Sequence, residues 1–97
     1  MVGGHVDGKI KLLRVHDVGT KFGPPGDVLD AEVIVKISTD TSSSYGFQLR
    51  QDKYLPAREG MLQLLMDAFH NNWTIHMDWD AKTGAKNRRA FRVWVTK

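Results

Sequence analysis

The chain contains no cysteine. That absence excludes disulfide scaffolds, thiol nucleophiles and every cysteine-ligated zinc or iron–sulfur centre. No apolar run approaches the ~20 residues that a membrane-crossing helix needs. The opening Met1-Val2-Gly3-Gly4-His5-Val6-Asp7-Gly8 has neither the basic nor the apolar region of a secretion signal. As given, the chain reads as cytoplasmic, although a start exposed by removal of a signal would look the same. Proline is scarce, and two of the three prolines are adjacent at Pro24-Pro25. A strong charge imbalance is also missing. Fourteen Lys and Arg against eleven Asp and Glu leave a net +3, which is compatible with an anionic partner but requires none.

What is present is ordinary for one globular domain: 97 residues, 41% hydrophobic and 26% charged. A chain of this size buries roughly 65% of its extended surface on folding, enough for one modest core. Two substrate-binding domains with a cleft between them are excluded. Gly3, Gly4 and Gly8 around His5 and Asp7 give residues 1–8 no periodicity, and they are read as a flexible leader before a single domain over 9–97.

Lys9 to Val18 is β-branched and partly alternating, which predicts a strand with a bulge or a switch of face at Leu12-Leu13. Gly19 to Leu29, with its Gly23-Pro24-Pro25-Gly26 core, is a loop. Asp30 to Ser38 gives the cleanest alternation, with Ala31, Val33, Val35 and Ile37 on one face and Glu32, Ile34 and Lys36 on the other. Thr39 to Ser44 reads as a polar turn, and Tyr45, Phe47 and Leu49 mark a third strand with its apolar side inward.

From Ala57 to Asn71 the apolar spacing turns helical. Pro56 suits the first turn, and Asn71-Asn72 can form a left-handed stop. Met61, Leu65, Ala68 and Phe69 are expected to face the sheet, with Leu64 and Met66 on the flank. Trp73 to Trp79 and Arg89 to Lys97 alternate again around the turn at Thr83-Gly84-Ala85. In the last strand Phe91, Val93 and Val95 are expected inward, opposite Arg92, Trp94 and Thr96.

The resulting order, β-β-β-α-β-β, is mainly β with one helix. It is the order of the OB-fold, a five-stranded, partly open barrel plugged by a helix. An open α+β sheet with the helix on one face is the rival. Leu64-Leu65-Met66-Asp67-Ala68 followed by Asn72-Trp73-Thr74-Ile75-His76-Met77, with Gly8-Lys9-Ile10 opening the first strand, resembles the B subunits of Shiga-type bacterial toxins. That resemblance implies an OB-fold, a homopentameric ring with helices lining its pore, and a carbohydrate ligand. The chain departs from the family in lacking its disulfide and in its longer first loop.

Four features bear on function. Trp94 alternates away from its apolar neighbours and lies beside Arg92, so its indole serves either a contact between subunits or the stacking of a sugar or base. Lys82, Lys86, Arg88 and Arg89 crowd the last hairpin. They are either a solvated turn or, in the alternative reading, the phosphate-binding edge of an intracellular single-strand nucleic-acid binder reaching to Arg92. His16-Asp17 and His76-x-Asp78 lack metalloenzyme spacing, and a surface hydrogen-bonded pair is the plain expectation. Ile34, Leu64 and Met66 leave surplus apolar surface, which suggests self-association.

No metal or cofactor is expected and no catalytic residue is assignable. The expectation is therefore a non-enzymatic oligomeric binding module. Its candidate ligand contacts are Trp94 for stacking, Arg92 as an orienting donor, Asp78 and Asn87 as hydroxyl partners, and Lys86 and Arg88 at the border.

Overall fold

The alternation of Asp30–Ser38 becomes the most deeply buried strand of the protein. In the computed structural model, which describes residues 1–97, the elements are β1 (Val2–Gly8), β2 (Ile10–Val15), β3 (Val33–Ile37), β4 (Asp40–Phe47), α1 (Leu55–Asn71), β5 (Thr74–Ala81) and β6 (Asn87–Thr96). The strands form one sheet in the order β1-β5-β6-β4-β3-β2. All neighbours are antiparallel except β4 and β6, which run parallel.

The strand count, the reading of residues 1–8 and the polar turn at Thr39–Ser44, most of which belongs to β4, need correction. The sheet has six strands, and no ladder closes it into a five-stranded barrel. The sixth strand is β1, formed by the residues read as a flexible leader. Its glycines concealed it, because β-propensity reports side-chain packing and these positions have little to pack. Their role is space. A Cβ on Gly4 would lie 2.9 Å from the Trp79 ring across the β1–β5 pair.

β1 and β2 stand at opposite ends of the strand order, yet only Lys9 separates them. Two consecutive segments joined by one residue cannot turn to pair with each other, so the ends stay unladdered. Gly8 makes the step at φ +152, where a side chain would also strike Ile37 and Ser38. Ser38 holds the junction: its hydroxyl accepts from the Lys9 N–H at 3.0 Å and its N–H donates to the Lys9 carbonyl at 2.9 Å.

The inner face carries Ile10, Val33, Val35, Ile37, Tyr45, Phe47, Ile75, Met77 and Ala90 against Leu65 and Ala68 of α1. Pro56 lies in the first turn and Asn72 adopts the left-handed stop, at φ 56. Phe69, expected against the sheet, is instead 51% exposed. The long loop after β2 folds over the opposite, outer face, where Leu29 and Ala31 bury Ile34 with Phe22 alongside. Ile34 is therefore core and not spare surface. Glu32 is buried as well, and a guanidinium from Arg50 explains it: Nε and Nη2 each donate to its carboxylate at 2.9 Å.

A bulge between Asp78 and Trp79 leaves Phe91 without a cross-strand partner. Phe91, expected inward, is consequently 44% exposed. The loop that covers β3 reaches the start of β6 and borders the end of β5 at Asp80 and Ala81, while His5 and Asp7 of β1 and Trp94 of β6 stay exposed beyond it. The outer face around them is open.

Candidate binding face

Alternation on the three strands β1, β5 and β6 decides which side chains reach that open face. On β5, Ile75 and Met77 are buried, so His76 and Asp78 point the other way. On β1, His5 and Asp7 have the same relation to Val6. The antiparallel register sets His5 opposite Asp78 and Asp7 opposite His76, so two His-x-Asp triplets meet head to tail. On β6, Trp94 lies opposite His76 and Arg92 opposite Asp78.

The six side chains form one network. Arg92 Nη1 donates to Asp78 Oδ2 at 3.0 Å. The other oxygen of Asp78 is 3.1 Å from His5 Nδ1, and His5 Nε2 is 3.2 Å from Asp7 Oδ2. His76 Nδ1 approaches the same Asp7 oxygen at 3.7 Å, while its Nε2 meets Thr96 Oγ1 at 2.9 Å. The rings stack into a triad: His76 is nearly parallel to Trp94 with centroids 5.3 Å apart, and His5 lies 5.2 Å from Trp94. Trp94 as a whole is 37% exposed. A flat aromatic edge bordered by two carboxylates and a guanidinium can stack a ligand ring and exchange hydrogen bonds with its polar groups.

Of the residues singled out from sequence, Trp94, Arg92 and Asp78 are brought together here. Lys86, Asn87 and Arg88 are not. Arg88 lies six residues from Trp94, about 20 Å along an extended strand at ~3.3 Å per residue. Asn87 and the Lys86 backbone clasp the long loop: both backbone N–H groups donate to the Asp27 carboxylate, and Asn87 Nδ2 donates to the Asp27 carbonyl at 2.6 Å.

Arg88 lies over the Trp79 ring at 4.0 Å and donates to the Tyr45 hydroxyl at 3.1 Å. That hydroxyl in turn donates to Asp40 at 2.7 Å. The hydrogen bond from Tyr45 holds the Asp40 pKa below the ordinary carboxylate value despite burial, with Ser43, Ser42 and Arg88 adding to it. Burial, reinforced by Asp40, pushes Tyr45 up to about 12. Arg88 therefore belongs to a structural ion network under the sheet.

Sequence reasoning missed His5, Asp7 and the pairing role of His76. The usable signal was repetition: His5-Val6-Asp7 and His76-Met77-Asp78 carry the same triplet, whose ends share a face in any strand. Compared with known proteins, the chain matches no family model, no curated protein and no solved structure. No helix is long and apolar enough to cross a membrane.

Proposed function

We propose that this protein is a non-enzymatic recognition module of OB type that binds carbohydrate on the open face of β1, β5 and β6. The observation that carries the reading is the convergence of the exposed Trp94 indole with Arg92 and Asp78. The fold is compatible with it. If β1 and β2 are taken as two halves of one bent strand, the strand count falls to five and both ends of the sheet belong to the same strand. The resemblance to toxin B subunits points to the same ligand class.

Recognition suits this face better than reaction. Thr96 is its hydroxyl nearest an imidazole, but the 3.7 Å gap between His76 and Asp7 exceeds an orienting hydrogen bond. The amides of β5 lie between the β1–β5 and β5–β6 ladders, which take them up and leave them unfit as oxyanion donors. A nucleic-acid reading has less support. Arg88, Arg89 and Arg92 are each paired with a carboxylate, which leaves Lys82 and Lys86 to neutralise phosphates.

The test is a glycan screen with wild type and Trp94→Ala. Wild type is expected to bind, and the variant to lose measurable binding with its melting temperature little changed. Retained binding would remove the indole from the site. Oligonucleotide affinity falling steeply between about 50 and 200 mM salt would move the function to nucleic acid.

The same proposal includes self-association, which would add avidity to weak individual sites. Tyr54 and Phe91 stay exposed at a groove of about 330 Å³ between α1 and β6, and Met66 and Phe69 are exposed elsewhere on α1. Five copies is the number that the resemblance implies. Light scattering at micromolar concentration is expected to give a multiple of the 11.0 kDa chain mass, and a monomer mass would remove assembly from the proposal.

A further inference from the structure

We propose that His5, Asp7 and His76 form a binding site for a divalent transition-metal ion of the zinc class, independent of any carbohydrate. One donor atom from each residue lies within 4.8 Å of the other two. The Asp7 oxygen is 3.2 Å from His5 Nε2 and 3.7 Å from His76 Nδ1. Ligand bonds of 2.0–2.1 Å in a tetrahedron set neighbouring donors about 3.3 Å apart, so small side-chain rotations complete the three-point geometry. The cluster couples neighbouring strands, β1 and β5, at directly facing positions, which keeps the donors together without a loop.

The far side of each imidazole is already organised. His5 Nδ1 faces Asp78, which Arg92 holds in turn, and His76 Nε2 faces Thr96. Metal-binding histidines characteristically have such an outer partner, which orients the ring and raises its basicity. The near side is where an ion is wanted. A carboxylate only accepts, so a neutral His5 between Asp78 and Asp7 must turn one lone pair towards a carboxylate oxygen. Positive charge placed between them relieves that contact. A second proton on His5 would do so as well, but it predicts no uptake of metal.

Two imidazoles and one carboxylate suit zinc, with nickel and copper as competitors. His5 and Asp7 are exposed, so the remaining coordination positions are open to water or to an anionic or hydroxyl-bearing group. Asp7 and Asp78 exceed Arg92 in charge, which favours a cation. The other histidines stand apart: His16 bonds to the Ala31 carbonyl, and His70 closes the helix.

The experiment is zinc titration of the full chain, free of any affinity tag, by calorimetry. One ion per chain is expected, with loss of uptake in His76→Ala and in Asp7→Ala. In Asp78→Ala, whose residue positions His5 without touching the ion, affinity should fall about 10–100-fold. Ring-nitrogen NMR of the wild type gives a reading that needs no variant. His5 and His76 should shift on zinc addition while His16 and His70 hold still. Absence of uptake, uptake unchanged in His76→Ala, or shifts confined to His70 would each overturn the proposal.

Discussion

Alanine at position 46 is expected to lower stability by about 3 kcal/mol, the upper part of the range for overpacking a tight core. Gly46 lies in β4, between Ile34 of β3 and Arg89 of β6. A methyl there would collide with the Val33 carbonyl oxygen and sit 2.9 Å from Leu29 and 3.1 Å from Ile34. The first of these is backbone, and it can yield only if β3 and β4 move apart. The other two belong to the cluster that seals the outer face under the long loop, so the loop would lift as well.

For a domain of this size the loss corresponds to a melting temperature roughly 15 °C lower, readable by circular dichroism. Gly60→Ala is the control, because nothing lies within 4 Å of a methyl at that helical position. It should raise stability by about 0.5–1 kcal/mol. Equal melting temperatures for the two variants would contradict the packing described.

Glu32→Gln should cost about 2–3 kcal/mol and change the response to acid. Breaking a buried ion pair costs about 3–5 kcal/mol, and the smaller figure reflects the partial exposure of Arg50. The carboxylate receives Arg50 through both oxygens and also the Leu49 N–H at 2.9 Å. A glutamine fits the space but turns a donor towards the guanidinium. In the wild type the Arg50 hydrogen bond holds the Glu32 pKa below its ordinary 4.5, outweighing the opposing effect of burial.

The folded state therefore favours the charged form more than the unfolded chain does. That contribution is complete above the ordinary value and disappears as pH falls through the lowered one. Denaturation midpoints of wild type should drop below about pH 4.5. Glu32→Gln should start lower and fall less steeply. Parallel profiles for the two proteins would mean that this pair does not anchor the loop after β4.

The legible part of the fold was the part governed by simple period. Val33, Val35 and Ile37 alternate and are buried, Leu65 and Ala68 share a helical stripe and are buried, and Asn72 stops the helix as a left-handed asparagine does. The register shift of this strand falls at Lys11, between Ile10 and Leu12, and not at the adjacent leucines, which pair regularly with Lys36 and Val35.

What escaped was set by partners distant in sequence. Gly3 and Gly4 look like a leader until Trp79 is placed across from them, and Ile34 looks like surface until Leu29 folds over it. Phe91 misled because a bulge opposite it broke the alternation.

The candidate face divides in the same way. Trp94, Arg92 and Asp78 could be singled out because all three lie on the side of the bulge where the outward phase of β5 and β6 is unbroken. Asn87 and Arg88 have equally suitable chemistry, but Asp27, Asp40 and the ring of Trp79 occupy them. His5 and Asp7 were hidden by the glycines that make room for Trp79. The second His-x-Asp triplet gained meaning only from the β1–β5 register.

The claim at the centre is that the outer face of β1, β5 and β6 meets the ligand. The most direct measurement is a two-dimensional NMR titration of the isotope-labelled chain with a glycan selected by the screen. Perturbations are expected on His5, Asp7, His76, Asp78, Arg92 and the Trp94 indole N–H, with Lys82 to Arg88 unmoved. Shifts gathered instead on that hairpin, or in the groove beside Tyr54 and Phe91, would contradict it.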